Sequence, residues 1–333
     1  MKAYEIRAAG IDALHFCDRD VPTPGAGEVL VRVRASSLNY RDYMIVLDPA
    51  GRGIQMPRTP NSDGAGEVVE IGDGVTRFKA GDRVIGTFFQ RWIGGGITSD
   101  VMASAMGGAV EGVLAEYVVL NENGLVAMPT HLTFEEASTL PCAALTAWQG
   151  LVEMGGLKAG ETVLLLGTGG VSILALQFAV MSGARVIITS SSDEKLARAQ
   201  SMGAWQTINY KANPDWQKSV VDMTDGIGVD HVVEVGGAGT VERSIEAVRV
   251  GGTIGMIGVL TQGTLNATAV MRKSIRLQGI YVGSRSMFEN MNKAITVHAM
   301  RPVVDRTFQL EDACDAFRCM ANAEHFGKIV VTL

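Results

Sequence analysis

Residues 162–184 read TVLLLGTGGVSILALQFAVMSGA, without one charged side chain. A run of that length is long enough to cross a bilayer. The cluster Gly167, Gly169 and Gly170 argues against that, because it divides the run into a short apolar strand, a tight turn and a buried helix. The residues beyond it repeat the alternation. Strands RVIITS (185–190), TINY (207–210), DHVVEV (230–235) and GTIGMIGV (252–259) are separated by the helical patterns DEKLARAQSMG (193–203), PDWQKSVVDMT (214–224) and TVERSIEAVR (240–249). Apolar strands alternating with helices predict a parallel sheet covered on both faces. Ile275–Val282 would be its sixth strand.

The sequence before residue 125 has a different rhythm. Short β-rich runs at Glu28–Ala35, Gly66–Ile71, Asp82–Gly86 and Leu114–Leu120 alternate with turns such as PTPGAGE and IGDGV, which predicts an irregular all-β domain. Phe88–Gly112 reads as a long glycine-bearing loop carrying Phe88, Phe89 and Trp92, and loops of that length are usually functional or mobile. Thr133 and Glu136 have capping-box spacing. From about Met287 the chain reads helix, strand (Val303–Leu310), helix and terminal strand (Lys328–Leu333), a tail able to return to the first domain. Two domains suit 333 residues at about 150 per domain.

Composition excludes several roles. A net charge of −6 lacks the concentrated basic surface that nucleic acid requires. Four scattered cysteines (Cys17, Cys142, Cys314, Cys319) are too few for a disulfide framework, and MKAYEIRAAG has no apolar signal core, so a cytoplasmic protein with no membrane partner is expected. Glycine is in excess at 40 residues, which demands places where backbone turns sharply or approaches something closely.

Gly167-Thr168-Gly169-Gly170-Val171-Ser172 supplies such a place. Following an apolar strand and opening an apolar helix, it suits a dinucleotide: Gly167 permits the turn, Gly169 lets backbone approach a pyrophosphate, and the helix N-terminus offers N–H donors. Ser172 replaces the third glycine, and its hydroxyl can bond back to a carbonyl. A carboxylate ending the second strand would hold a ribose diol; here stand Ser190, Ser191 and Ser192, with Lys195 a turn later, which suits a 2′-phosphate. NADPH is therefore expected over NADH, although Asp193 and Glu194 also lie at that helix start. Gly236 and Gly258 with Val259 end later strands on the same side, where a ring must pass close to backbone.

Other strings carry a resemblance: Pro24-Gly25-Ala26-Gly27-Glu28-Val29-Leu30, Ser37-Leu38-Asn39-Tyr40-Arg41-Asp42, Gly64-Ala65-Gly66-Glu67, Ala80-Gly81-Asp82-Arg83-Val84, Leu140-Pro141-Cys142 through Thr146 to Trp148, Ile208-Asn209-Tyr210 and Gly327-Lys328. With the glycine loop they make the whole chain resemble the medium-chain dehydrogenase/reductase superfamily. The resemblance implies a GroES-like irregular β-barrel (1–126, with 286–333 returning to it), an α/β Rossmann domain with a six-stranded parallel sheet (127–285), a cleft between them, and a homodimer formed through the edge strand Ile275–Val282. It also implies that Thr146 lies beside a nicotinamide, that Tyr210 lies beside the adenosine phosphate, and that Gly283 and Ser284 close over the ring.

Departures from the zinc-using members are informative. Those members carry Cys-His-x-Asp where this chain has Asn39-Tyr40-Arg41-Asp42, and Gly-His-Glu where it has Asn61-Ser62-Asp63. Cys142 remains at the third ligand position, and Phe88–Gly112 has no cysteine for a structural zinc lobe. The resemblance is thus to the zinc-independent, quinone-oxidoreductase-like branch, and no metal is expected. Hydride transfer to a quinone, enone or activated carbonyl then needs hydrogen-bond donors for the developing oxyanion. Asn39 is the first candidate; Tyr40 and Tyr43 could donate a proton or simply pack, and Asp63 could be a general acid or pair with a base. Asp42 reads as a helix cap. An NAD(P)-dependent alcohol or aldehyde dehydrogenase, or a cofactor-binding protein without turnover, are the alternatives.

Overall fold

The structure, a computed structural model, describes residues 1–258, 260–261 and 263–333. The chain divides into two compact units, Thr146–Val282 and Met1–Leu145 with Gly283–Leu333. In the first of these, six parallel strands lie in the order Gln206–Asn209, Arg185–Ser190, Thr162–Leu165, Val229–Glu234, Val248–Met256, Arg276–Gly279. Thr162–Leu165 is central: the chain builds outward from it on one side, then returns to build on the other. Ligands of open α/β sheets bind at such a reversal, at the carboxyl ends of the strands, and the glycine loop leaves the central strand there. Thr162, Val163, Leu164 and Leu165 are all buried, as a strand flanked on both sides requires. The loop helix, Gly170–Met181, is apolar nearly all round and buries Ile173, Leu174, Leu176 and Phe178.

Some element ends differ from the sequence reading. The sixth strand is only Arg276–Gly279; Tyr281 is half-exposed, and Val282 has φ 59°, a left-handed conformation rare for a β-branched residue, which takes the chain out of strand geometry. Helix Val241–Ala247 stops before Arg249 because Val248 already pairs with Val229.

The other unit is organised by one long strand, Glu28–Ser37. It pairs antiparallel with Asp63–Ile71, Tyr117–Asn121 and the terminal strand Lys328–Thr332, with register shifts at Leu30/Val31 and Val33/Ala35. Val304–Gln309 extends the sheet beyond the terminal strand, and Arg83–Gly86 and Leu125–Ala127 extend it beyond Asp63–Ile71. This unit continues to Leu145 and resumes at Gly283, where the sequence reading put boundaries after 126 and 285. Packing explains the difference. Helix Phe134–Ser138 lies against the two central strands, fixed by the Thr133–Glu136 capping box, and Ser37 Oγ donates to the Ser138 carbonyl at 2.9 Å. Phe88–Gly112 is a loop interrupted by the short helix Ser99–Met102, exposed over 93–100 but anchored in the core, where Phe88, Phe89 and Trp92 are buried edge to face. Arg41 stacks over Phe88 and donates to the Met106 carbonyl at 2.6 Å, pinning the segment to helix Tyr40–Leu47.

Among the described residues no helix is long and apolar enough to cross a membrane. In the parallel-sheet unit, Lys273 closes helix Val241–Ala247 by donating to the carbonyls of Ile245 (2.8 Å), Glu246 (2.9 Å) and Val248 (2.5 Å). Lys273→Met should cost about 1–3 kcal/mol by stranding these acceptors, read as a lower denaturant midpoint with an unchanged slope.

Candidate functional site

In the parallel-sheet unit the glycine loop leaves backbone donors facing open space. Gly167 has φ 72° and its N–H donates to Thr189 Oγ1 at 3.2 Å, while Thr168 Oγ1 lies 3.4 Å from Ser190 Oγ. Gly169 precedes the helix without a side-chain cap, and the first turn carries no acidic residue. A Cβ added at Gly169 would meet nothing within 4 Å, so space lies open over these N–H groups. Ser172 is buried and donates to the Leu166 carbonyl at 2.7 Å, tying helix to strand where a third glycine would pack. Uncapped donors, the positive helix end and open space fit a pyrophosphate.

Glu234 was not singled out by sequence, since it ends an apolar strand without a local motif. Fully buried, its Oε1 accepts from the N–H groups of Gly236 (2.8 Å) and Gly237 (3.0 Å) and from Thr240 Oγ1 (2.6 Å), and its Oε2 accepts from Ser244 Oγ (2.5 Å). Its carbonyl accepts from Ile257 and Gly258 N–H. This carboxylate holds two strand ends so close that a Cβ on Gly258 would stand 2.3 Å from Val235 backbone. Gly258 is therefore required first by backbone approaching backbone, whereas a Cβ on Gly236 would meet the Thr240 side chain at 2.4 Å. Val259 lies outside the described residues.

At the end of the second strand Ser190 is buried and Ser191 half-buried. Ser192 caps helix Asp193–Ser201 by accepting from Lys195 N–H at 3.3 Å, which puts Lys195 in the first turn. Asp193 Oδ1 accepts from Asn209 Nδ2 at 2.7 Å, so this carboxylate is held by the neighbouring strand end. Tyr210 is half-exposed, and its N–H donates to the Ser190 carbonyl. Thr146 is buried in its unit, and Val171 is half-buried at the start of the loop helix. Gly283 and Ser284 belong to the other unit: a Cβ on Gly283 would meet Leu145 at 2.8 Å, and Ser284 Oγ caps helix Arg285–Val297.

The irregular β unit gathers the remaining candidates through strand register. Ser37 pairs with Asp63 on one side and Val330 on the other, so the antiparallel terminal strand carries Lys328 past Leu38 to Asn39. Lys328 is 2% exposed; its Nζ donates to Asn39 Oδ1 at 2.5 Å and the Leu38 carbonyl at 2.7 Å, and lies 3.8 Å from Asp63 Oδ2. Asp63, with no exposure, accepts from Ser62 Oγ (2.9 Å), Ser37 Oγ (3.3 Å) and Cys142 N–H (3.3 Å). Asn39 Nδ2 reaches Ser62 Oγ at 3.4 Å. Burial pushes the Asp63 carboxyl above its usual range, with Lys328 opposing and Asp42 reinforcing the shift. Burial likewise pushes the Cys142 thiol up, and the Asp63 charge adds to it. Asn61, buried at φ 67°, turns the chain into this cluster, and its Nδ2 donates to Ser36 Oγ.

Asp42 caps its helix by accepting from Asn39 N–H at 2.9 Å and pairs with Arg41 at 3.0 Å. Tyr43 packs beside the core that includes Leu38, Ile45 and Phe317, whereas Tyr40 is 38% exposed in the first turn next to Asn39. The structure thus brings Asn39, Ser62, Asp63 and Cys142 together and adds Lys328, known to the sequence reading only as part of a Gly-Lys string. Among the described residues no three His, Cys, Asp or Glu side chains converge as a metal-ligand set.

Comparison with known proteins extends these likenesses across the chain. Residues 25–130 match the family described as alcohol dehydrogenase GroES-like domain, and residues 170–296 match that described as zinc-binding dehydrogenase. A zinc-type alcohol dehydrogenase-like protein of Schizosaccharomyces pombe is 42% identical over 334 residues, covering 98% of this chain and 96% of the relative. A quinone oxidoreductase of Pseudomonas aeruginosa is 36% identical over 242 residues, covering 72% and 67%. The crystal structure of an NAD-dependent alcohol dehydrogenase, 35% identical, matches with a TM-score of 0.91 over 100% of both chains. A GroES-like unit joined to a parallel-sheet dinucleotide unit, matched almost end to end at this identity, identifies the chain as an oxidoreductase belonging to the medium-chain dehydrogenase/reductase superfamily.

Proposed function

We propose that the protein is an NADPH-dependent, zinc-independent reductase that transfers hydride to a quinone, an enone or an activated carbonyl. The observation carrying this reading is the buried Lys328 ammonium among the side chains that replace metal ligands. A catalytic zinc takes three protein ligands, normally thiolate, imidazole or carboxylate. Here the corresponding positions offer the Asn39 carboxamide, the Ser62 hydroxyl and a Cys142 thiol whose ionisation is disfavoured. A cation already lies 2.5 Å from Asn39 Oδ1, so the donor set does not fit zinc.

NADPH, when bound, supplies the hydride; the chain supplies the rest. The first-turn N–H groups at Gly170 and Val171 would hold the pyrophosphate, with Gly167 and Gly169 keeping the approach clear. Ser190, Ser191 and Lys195 would receive a 2′-phosphate, and the bond from Asn209 keeps Asp193 engaged elsewhere. Asn39 Nδ2 donates to the substrate oxygen as negative charge develops there, and the half-exposed Tyr40 phenol delivers a proton. Asp63 is too deeply buried to touch substrate and holds Ser62, Ser37 and Lys328 in place. Donors weaker than a metal suit electrophiles that need little polarisation. The outer edge of Arg276–Gly279, unpaired among the described residues, supports a homodimer formed through that strand.

The relatives described as alcohol dehydrogenases favour a second reading, reversible alcohol oxidation. Stopped-flow oxidation of NADPH against quinones, enones, aldehydes and alcohols separates the two. Quinone or enone reduction should exceed the alcohol reaction by at least about tenfold in kcat/KM, about 1.4 kcal/mol in the transition state. Equal alcohol oxidation would favour the second reading, and tight binding without any turnover would leave a cofactor-binding protein. Lys195→Ala should weaken NADPH about tenfold or more while changing NADH less than about twofold, measured by fluorescence titration. Equal losses would refute the 2′-phosphate assignment.

A further inference from the structure

We propose that Lys328 is a positioning residue that sets which way the Asn39 carboxamide faces, and so which of its atoms meets substrate. The inference rests on the reading of Asn39 as the donor to the substrate oxygen. Asn39 precedes helix Tyr40–Leu47, where an asparagine side chain ordinarily accepts from a backbone N–H of the first turn. Here Asn39 and Asp42 face each other in a capping box, the Asp42 carboxylate accepting from Asn39 N–H, and Asn39 Oδ1 also accepts from Lys328 at 2.5 Å.

The ammonium has little choice of partners. It is buried, carries three hydrogens and accepts nothing. Two hydrogens are committed to Asn39 Oδ1 and the Leu38 carbonyl, and Asp63 lies 3.8 Å away on the remaining side. Turning the carboxamide over would set an NH2 group against a buried NH3⁺ group, while Oδ1 would face Ser62, whose own hydrogen is committed to Asp63 Oδ1 at 2.9 Å. Only one orientation satisfies all the donors: Oδ1 toward Lys328, and one Nδ2 hydrogen toward the Ser62–Asp63 pair. The second Nδ2 hydrogen is then always presented as a donor. An asparagine free to turn would present oxygen, which repels a developing oxyanion, in part of the population. Antiparallel pairing of Val330 with Ser37 builds this arrangement into the sheet.

The test is a double-mutant cycle with 9,10-phenanthrenequinone and NADPH on wild type, Lys328→Met, Asn39→Ala and the double variant, with NADPH affinity and melting temperature measured alongside. Lys328→Met should lower kcat at least about tenfold, leave NADPH affinity within about twofold, and cost less than about twofold more once Asn39 is alanine. Independent, multiplying losses would overturn the proposal, as would a Lys328→Met defect confined to NADPH binding. Wild-type kcat in Asn39→Ala would remove the underlying reading instead, whatever Lys328 does. Should Lys328→Met fail to fold, Lys328→Gln, which keeps a donor able to reach Oδ1, should retain more kcat than its loss of charge alone would leave. Neutron diffraction from unmutated crystals gives an independent answer: the Asn39 deuterons should lie on the atom away from Lys328, and the reverse assignment would refute the proposal.

Discussion

The contact between the Lys328 ammonium and Asn39 Oδ1 organises the buried polar cluster of Asn39, Ser62, Asp63 and Cys142. Burying an ammonium costs several kcal/mol, and a carboxylate 3.8 Å away returns only part of that. The remainder comes from the Leu38 carbonyl and the Asn39 carboxamide, so the cluster is satisfied only when all four residues keep their places. Strand register enforces those places: Ser37 lies between Asp63 and Val330, joining residues from the first fifth and the very end of the chain around one side chain. A positive charge is thereby fixed in a buried setting. The groups around it are acceptors: the Leu38 carbonyl, Asn39 Oδ1 and the Asp63 carboxylate.

The parallel-sheet unit solves a matching problem with the opposite charge. Glu234 is buried with four donors on its carboxylate and two on its carbonyl, and it draws Gly236, Gly237 and Gly258 into mutual contact. The glycine loop does the reverse: at Gly169 it leaves backbone donors uncovered. One set of glycines lets backbone meet backbone, and the other leaves room for a phosphate.

Much of this was legible in the sequence because it was local. The alternation of apolar strands and helices after Thr162 specified the six-stranded parallel sheet, and the glycines located the turn from strand to helix. Ser172 bonds back to a carbonyl, as its hydroxyl permits. The illegible parts were non-local. Lys328 and Asn39 are 289 residues apart, and no pattern around a lysine opening a terminal strand tells that its ammonium is buried. Glu234 looks like an ordinary polar residue at a strand end. Within the Phe88–Gly112 loop, the glycines masked three aromatic residues that are core. The boundary near residue 127 was misplaced because Phe134–Ser138 is a helix serving the first sheet, which its capping box could not reveal.

The central proposal is that an Asn39 donor oriented by the buried Lys328, not a metal, meets the substrate oxygen. Its most direct test is elemental analysis of the purified protein, coupled to quinone turnover before and after exhaustive chelation. Metal far below one equivalent per chain, with turnover unchanged by chelation, is the predicted result. One zinc per chain, with activity lost on its removal and restored on its return, would contradict the account.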